Sequence, residues 1–307
     1  MRYIQILSNS GEVQTALDSR ELGKPYLAYL EDEHRIDWNS QEIPEPVYSV
    51  MPLTFEIISG GTINWKPSDS SAITKSIQYK VNEGEWEWTQ SADSATTTIN
   101  VNAGDKVQIR GFDSGYTNAD ATGQHSWSFC GSTAVFEAYG NIMSLINNDL
   151  TGTIMDYFAL YSLFKGCTGL TSAENLILPA TTLAEGCYWA MFRGCTSLTT
   201  APELPATTLA NYCYTGMFNG CTSLTTAPAL PATTLTKSCY NQMFRNCTNL
   251  IYIKCLATDI SASNCTTDWM YHVSASGGTF VKNPNMSSWT TGPDGIPTNW
   301  TVQDAVI

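Results

Sequence analysis

Ten cysteines, three histidines and 28 carboxylates are the groups in this chain that could do chemistry, and their spacing points away from catalysis. Cys187, Cys213, Cys239 and Cys265 recur every 26 residues, as do Cys195, Cys221 and Cys247. A residue type that returns at a fixed period marks a repeat position before it marks a bonding partner. In a stack of repeats, equivalent residues form ladders spaced about 4.8 Å apart, and one small buried thiol per unit accounts for them. Disulfides remain the alternative; zinc lacks the Cys-x-x-Cys or Cys/His spacing it needs. His34, His125 and His272 lie in different segments, none in metal or triad spacing. No Gly-x-Ser-x-Gly, His-Glu-x-x-His, phosphate loop or dinucleotide fingerprint occurs. Ser59-Gly60-Gly61-Thr62 reads as a turn between strands, and Glu83, Glu85 and Glu87 as one solvated strand face rather than a catalytic carboxylate pair. The expectation is a protein that is not an enzyme and needs no cofactor or metal.

The elements that carry the cysteines are near-identical copies. Met191 to Gly216 reads MFRGCTSLTTAPELPATTLANYCYTG, and Met217 to Gln242 reads MFNGCTSLTTAPALPATTLTKSCYNQ. Leu163 to Ala190 is a longer copy and the unit from Met243 a degenerate one. Self-similarity at this period predicts a solenoid in which each unit buries its apolar face against its neighbours. Within a unit, Ser197 to Pro202 reads as extended, because Pro202 and Pro205 disfavour helix. Leu209, Tyr212, Cys213, Gly216 and Met217 fall at i, i+3, i+4, i+7 and i+8, which predicts one face of a short helix. Thr207 or Thr208 would cap its start and Gly220 its end. Gly277 to Ile307 has lost the repeat and reads as an exit cap; Val135-Phe136 and Tyr139 to Leu145 read as the entry cap.

Positions that hold a unit together should repeat, whereas positions that face a partner are free to vary. The varying sets include Gly186, Tyr212 and Ser238; Trp189, Thr215 and Asn241; and a mostly basic column of Lys165, Arg193, Asn219 and Arg245. The ligand-binding candidates are therefore Trp189, Tyr212, Arg193, Asn219, Asn241 and Arg245, with Trp189 and Tyr212 foremost because aromatics are enriched at binding hot spots. Tyr212 also fits the inward face of the expected helix. Neutral drift on a solvated surface would give the same variation.

Two segments precede the repeats. Residues 1–46 form a unit too small to bury much core of its own, closed by the structure-breaking Ile43-Pro44-Glu45-Pro46. Residues 47–130 carry alternating runs: Leu53 to Ile57, Ile77 to Val81 returning through Glu85-Trp86-Glu87-Trp88, then Thr98 to Val101 and Val107 to Arg110 around Gly104-Asp105. Several short strands in that length predict an immunoglobulin-like β-sandwich.

The bulk properties narrow the partners. Charged residues are 14% and the net charge is −13, which disfavours nucleic acid or an anionic membrane as partner. Arg2 to Leu7 is too short for the apolar core of a secretory signal. Tyr157 to Phe164 is too short to span a bilayer.

The pattern M-F-x-G-C-T-S-L-T-x-x-x-x-L-P resembles the BspA-like leucine-rich repeats frequent in surface proteins of gut Bacteroidales. It is carried by Phe164 to Leu170, Phe192 to Leu198, Phe218 to Leu224 and Phe244 to Leu250, with Asn246 in place of glycine in the last, over about 105 residues in all. That resemblance implies an inward position for Cys167, Cys195, Cys221 and Cys247. Gly11 to Leu17 followed by Leu22-Gly23-Lys24-Pro25-Tyr26 resembles the N-termini of virion proteins from phages infecting Bacteroidales, in which an N-terminal unit attaches to the particle. The expected fold is thus mainly β with short helices: an N-terminal attachment segment over 1–46, a β-sandwich over 47–130, and a leucine-rich-repeat solenoid with entry and exit caps over 131–307. The function implied is a virion-surface fibre or decoration protein. Residues 1–46 would dock on capsid or tail, the sandwich would act as a spacer, and the solenoid would meet a host glycan or protein. The alternatives are a bacterial cell-surface adhesin and a decoration protein that binds no host ligand. A homo-oligomer is compatible with all three.

Overall fold

The computed structural model describes residues 48–67, 76–89, 96–112, 127–274, 276–287 and 289–306. The expected attachment segment 1–46, with His34, lies outside them, as does His125. The described chain is mainly β. Its strands are β1 (Leu53–Ser59), β2 (Gly61–Pro67), β3 (Ile77–Val81), β4 (Glu87–Trp88), β5 (Thr97–Val101), β6 (Lys106–Gly111), β7 (Trp127–Ser128) and β8 (Val135–Asn141). They continue with β9 (Leu170–Ser172), β10 (Leu176–Ile177), β11 (Tyr252–Cys255), β12 (Thr279–Lys282) and β13 (Thr301–Asp304).

The first eight strands form two sheets. One runs β10-β8-β1-β6-β3-β4, with β9 also on β8; the other runs β5-β2-β7. Alternation in sequence becomes alternation in burial: Leu53, Phe55 and Ile57 of β1 are buried while Glu56 is exposed, and Ile99 and Val101 of β5 are buried while Thr98 and Asn100 are exposed. The turn at Gly60 joins β1 to β2, as the glycine pair predicts. Gly61 is required there: a Cβ would lie 2.7 Å from the amide nitrogen of Ala134. The Gly104-Asp105 turn carries the chain from β5 in one sheet to β6 in the other. Both sheets empty their apolar faces into one core, in which Phe129 packs 4.9 Å from Phe55 and 4.9 Å from Trp65.

β8 was expected in the entry cap of the repeats, and it does both jobs. It pairs antiparallel with β1 and parallel with β9 and β10. The boundary expected at 130/131 is therefore crossed by continuous hydrogen bonding. It is also crossed by rings: Phe129 stacks on Phe164 at 5.7 Å, and Phe164, Phe192, Phe218 and Phe244 follow at 5.3, 5.5 and 5.7 Å. Gly169 is a close-approach site, since a Cβ there would run into the carbonyl oxygen of Ala134. The repeat ladder thus begins inside the core of the two sheets, and residues 48–307 form one unit.

The short helix expected in each copy is absent; no α-helix occurs among the described residues. A ribbon of successive turns stands in its place. Cys187, Trp189, Met191, Arg193 and Cys195 each donate their amide to the carbonyl three residues back. The amides between them, of Gly186, Tyr188, Ala190, Phe192 and Gly194, donate to Asn211, Cys213, Thr215, Met217 and Asn219 of the next copy. Every backbone donor of the ribbon is satisfied, half locally and half by the neighbour. An α-helix would have spent all of them on itself. The geometry repeats every four residues, with positive φ at Gly186, Ala190 and Gly194 and again at Tyr212, Gly216 and Gly220. Gly220, expected to end a helix, is one of these turn positions. Buried pairs recur at the same step, as Cys187-Tyr188 and Met191-Phe192. A period of four shares its first matches with the helical 3.6, which is why the sequence reads as helix.

Between ribbons the copies are joined by parallel bridges such as Ser172 to Thr200, Thr182 to Thr208 and Thr226 to Tyr252. Past Cys265 the sequence repeat fades and the stacking continues. β12 and β13 add to β11 in parallel. The ring column Tyr188, Tyr214, Tyr240 carries on through Trp269 to Trp289.

Candidate functional site

The cysteines come first, because they were the candidate chemistry. All ten are free thiols, and nine of them are buried. Cys167, Cys195, Cys221 and Cys247 each donate to the carbonyl oxygen of a phenylalanine in the preceding layer: Phe129, Phe164, Phe192 and Phe218, at 3.2, 3.0, 3.1 and 3.0 Å. Burial pushes these thiols up, Cys247 to about 12, as it does Cys187, Cys239 and Cys255. A thiol held protonated is a poor nucleophile and a poor metal ligand. Among the described residues, His, Cys, Asp and Glu side chains nowhere gather in threes that could hold a metal. Glu83, Glu85 and Glu87 are exposed, and Glu87 accepts a hydrogen bond from the Tyr79 phenol at 2.8 Å. His272 is exposed and stacks on Tyr271.

Of the residues singled out for recognition, two come together. Trp189 and Tyr212 stack at 5.6 Å with their planes 13° apart. They lie in different columns and in adjacent copies, so the pair is diagonal. On the other side of the indole sit Phe158 at 6.0 Å and Tyr161 at 5.7 Å. The positive-φ column explains how they fit: it runs Phe158, Gly186, Tyr212, Ser238. Gly186 is the gap that seats the Phe158 ring, since a Cβ there would lie inside it. Phe158 is buried, while Trp189, Tyr161 and Tyr212 are half-buried, so their edges reach solvent. Tyr157 is 62% exposed and Ile154 83%. The Lys237 ammonium stands 5.4 Å over the Tyr212 ring, and the Tyr212 phenol, with Glu185 behind it, holds that ammonium above its ordinary value.

The other candidates lie apart from this cluster. Arg193 is exposed. Asn241 is half-buried. Arg245 is engaged by an ion pair to Asp268 and by the face of Tyr271 at 4.7 Å. Asn219 is only 7% exposed, which corrects its place among surface residues. Its column is basic in the other three copies, Lys165, Arg193 and Arg245. Phe158 and Tyr161 were missed by the sequence reading. They lie just ahead of the first copy, Leu163 to Ala190, whose two extra residues obscure their alignment with Gly186 and Trp189.

The site therefore offers aromatic edges, one cation and neighbouring polar groups on a surface otherwise rich in threonine, with no nucleophile–base pair. No helix among the described residues is long and apolar enough to cross a membrane. Comparison of the chain with family models, curated proteins and solved structures gave no match.

Proposed function

We propose that the protein is a non-enzymatic recognition component of a phage virion surface. On this reading the stacked copies are a leucine-rich-repeat solenoid of the BspA-like kind, and the two sheets before them an immunoglobulin-like module. Residues 1–46 dock on capsid or tail, and the repeat surface meets a host glycan or protein. The observation that carries it is the Trp189–Tyr212 cluster. Four aromatic rings and a lysine gather on one face of a repeating stack, at positions where the copies differ. Large rings left partly in solvent are the usual centre of a binding surface. On this reading the two sheets act as a spacer that shares its core with the repeats.

Mass spectrometry of density-purified particles from lysates of the source culture tests this reading. Stoichiometric copies of the chain in particles support it. Absence from particles, with the chain on cell envelopes, turns the reading to a bacterial adhesin.

A further inference from the structure

A second surface lies on the outer face of the sheet formed by β6, β3 and β4, away from the repeats. Val107 and Ile109 of β6 point into the core, so Gln108 and Arg110 point out. Register places Arg110 opposite Gln78, and Gln78 opposite Trp88. Phe112 follows Arg110 by two, and its ring lies 5.3 Å from that of Trp88. Trp88 is 57% exposed and Phe112 47%.

Arg110 is held in place in the middle of this face. Its guanidinium carbon lies 4.1 Å over the Trp86 ring, and its Nε donates to the Gln78 side-chain oxygen at 2.8 Å. Lys80 Nζ stands 5.6 Å over the same indole. Among the described residues Lys106, Arg245 and Lys282 pair with Glu56, Asp268 and Asp304, and the other lysines and arginines have no carboxylate within ion-pair distance. Among the described residues neither Arg110 nor Lys80 has a carboxylate within ion-pair distance, although acids outnumber bases 28 to 15. With Nε occupied and the plane fixed by stacking, the two terminal nitrogens of Arg110 meet no hydrogen-bond partner among the described residues and present a fork. That fork matches a planar carboxylate in bidentate fashion. The exposed Trp88 and Phe112 rings beside it offer apolar surface to the C–H groups of a sugar ring, and Gln78 and Lys80 offer polar groups to its hydroxyls.

We propose that this face binds an acidic saccharide: the uronate carboxylate on Arg110 with Lys80, and the sugar ring against Trp88 and Phe112. An anion without a ring would use the cations and waste the aromatics. A neutral sugar would leave the fork unmatched. This proposal stands apart from the repeat surface and from the virion reading.

The test is isothermal titration of the full chain with tetragalacturonate, maltotetraose and tetraglutamate as probes. The expected result is binding of tetragalacturonate at least 10-fold tighter than either of the others. Arg110→Gln and Trp88→Ala should each weaken it at least 10-fold, and Arg110→Lys, which keeps the charge and loses the fork, by less than Arg110→Gln. Equal binding of maltotetraose overturns the role of the carboxylate, and equal binding of tetraglutamate overturns the saccharide. Failure of tetragalacturonate to bind a chain that circular dichroism shows to be folded overturns the proposal as a whole.

Discussion

Cys195 donates its thiol hydrogen to the carbonyl oxygen of Phe164 at 3.0 Å, and so ties one copy to the copy before it. That oxygen already accepts the amide of Cys167, so the thiol uses its second lone pair. The contact explains why a cysteine, rather than another small apolar residue, recurs there. Replacing Cys195 by alanine removes a weak hydrogen bond and leaves a small void, at a cost of about 1–2 kcal/mol. Urea unfolding should show this as a lower midpoint at unchanged slope. An unchanged midpoint would mean that the thiol bond contributes nothing.

The same burial predicts thiol reactivity. In the native protein only Cys130 is better than buried. A thiol-reactive dye should label Cys130 quickly and the other nine only after addition of denaturant. Rapid labelling of several cysteines without denaturant would contradict the packed ladder.

Alkali should destabilise the fold before it damages the chain. The folded-state values of the thiols from Cys167 to Cys265 are raised by burial, those of Cys187, Cys239, Cys247 and Cys255 to about 12, from an ordinary value of 9.0. Below pH 9.0 both states keep the proton, and this contribution to stability is present in full. Between pH 9.0 and about 12 the unfolded chain loses thiol protons that the folded chain retains, so stability falls as pH rises. The slope is about 1.4 kcal/mol per pH unit for each thiol fully in that window. Urea midpoints should hold from pH 8 to about pH 9 and then drop towards pH 10.5, and a flat profile throughout would contradict the buried thiols.

Phe129 bridges the two sheets and the first copy. Phe129→Ala should cost about 3–5 kcal/mol, and it should lower a single unfolding transition for residues 48–307. Calorimetry that showed two transitions, with only the earlier one moved, would indicate that the sheets and the repeats unfold separately.

Trp189 can be tested for recognition apart from stability. Its ring is half-buried and meets those of Tyr212, Phe158 and Tyr161, so Trp189→Ala should cost about 1–3 kcal/mol. It should nevertheless reduce adsorption of the purified chain to host cells by 10-fold or more. Arg193→Ala, exposed and outside the cluster, should change adsorption by less. If Trp189→Ala leaves adsorption intact, the decoration protein without a host ligand becomes the better reading.

Much was legible in the sequence because repetition is itself structural information. Copies of 26 residues can bury their apolar positions only by stacking, so Cys195, Phe192 and Leu198 of one copy had to meet Cys221, Phe218 and Leu224 of the next. Alternation along Leu53 to Ile57 likewise declared a strand and its inner face. The conformation within a copy was not legible, because apolar spacings of three and four suit a helix and a ribbon of turns equally. Only the neighbouring copy, which takes every second amide of Gly186 to Gly194, decides for the ribbon. The role of Val135 to Asn141 was hidden for a related reason. A strand's pairing partners lie far away in sequence, and nothing local says that one strand completes a sheet and starts a stack. The diagonal meeting of Trp189 and Tyr212, and the place of Arg110 between Gln78 and Trp86, are likewise products of register between segments. The sequence by itself determined the stacking and the buried ladders, since both follow from period and apolar pattern. The surfaces belong to the tertiary structure, because an exposed side chain finds its neighbours only when separate strands and copies are set side by side.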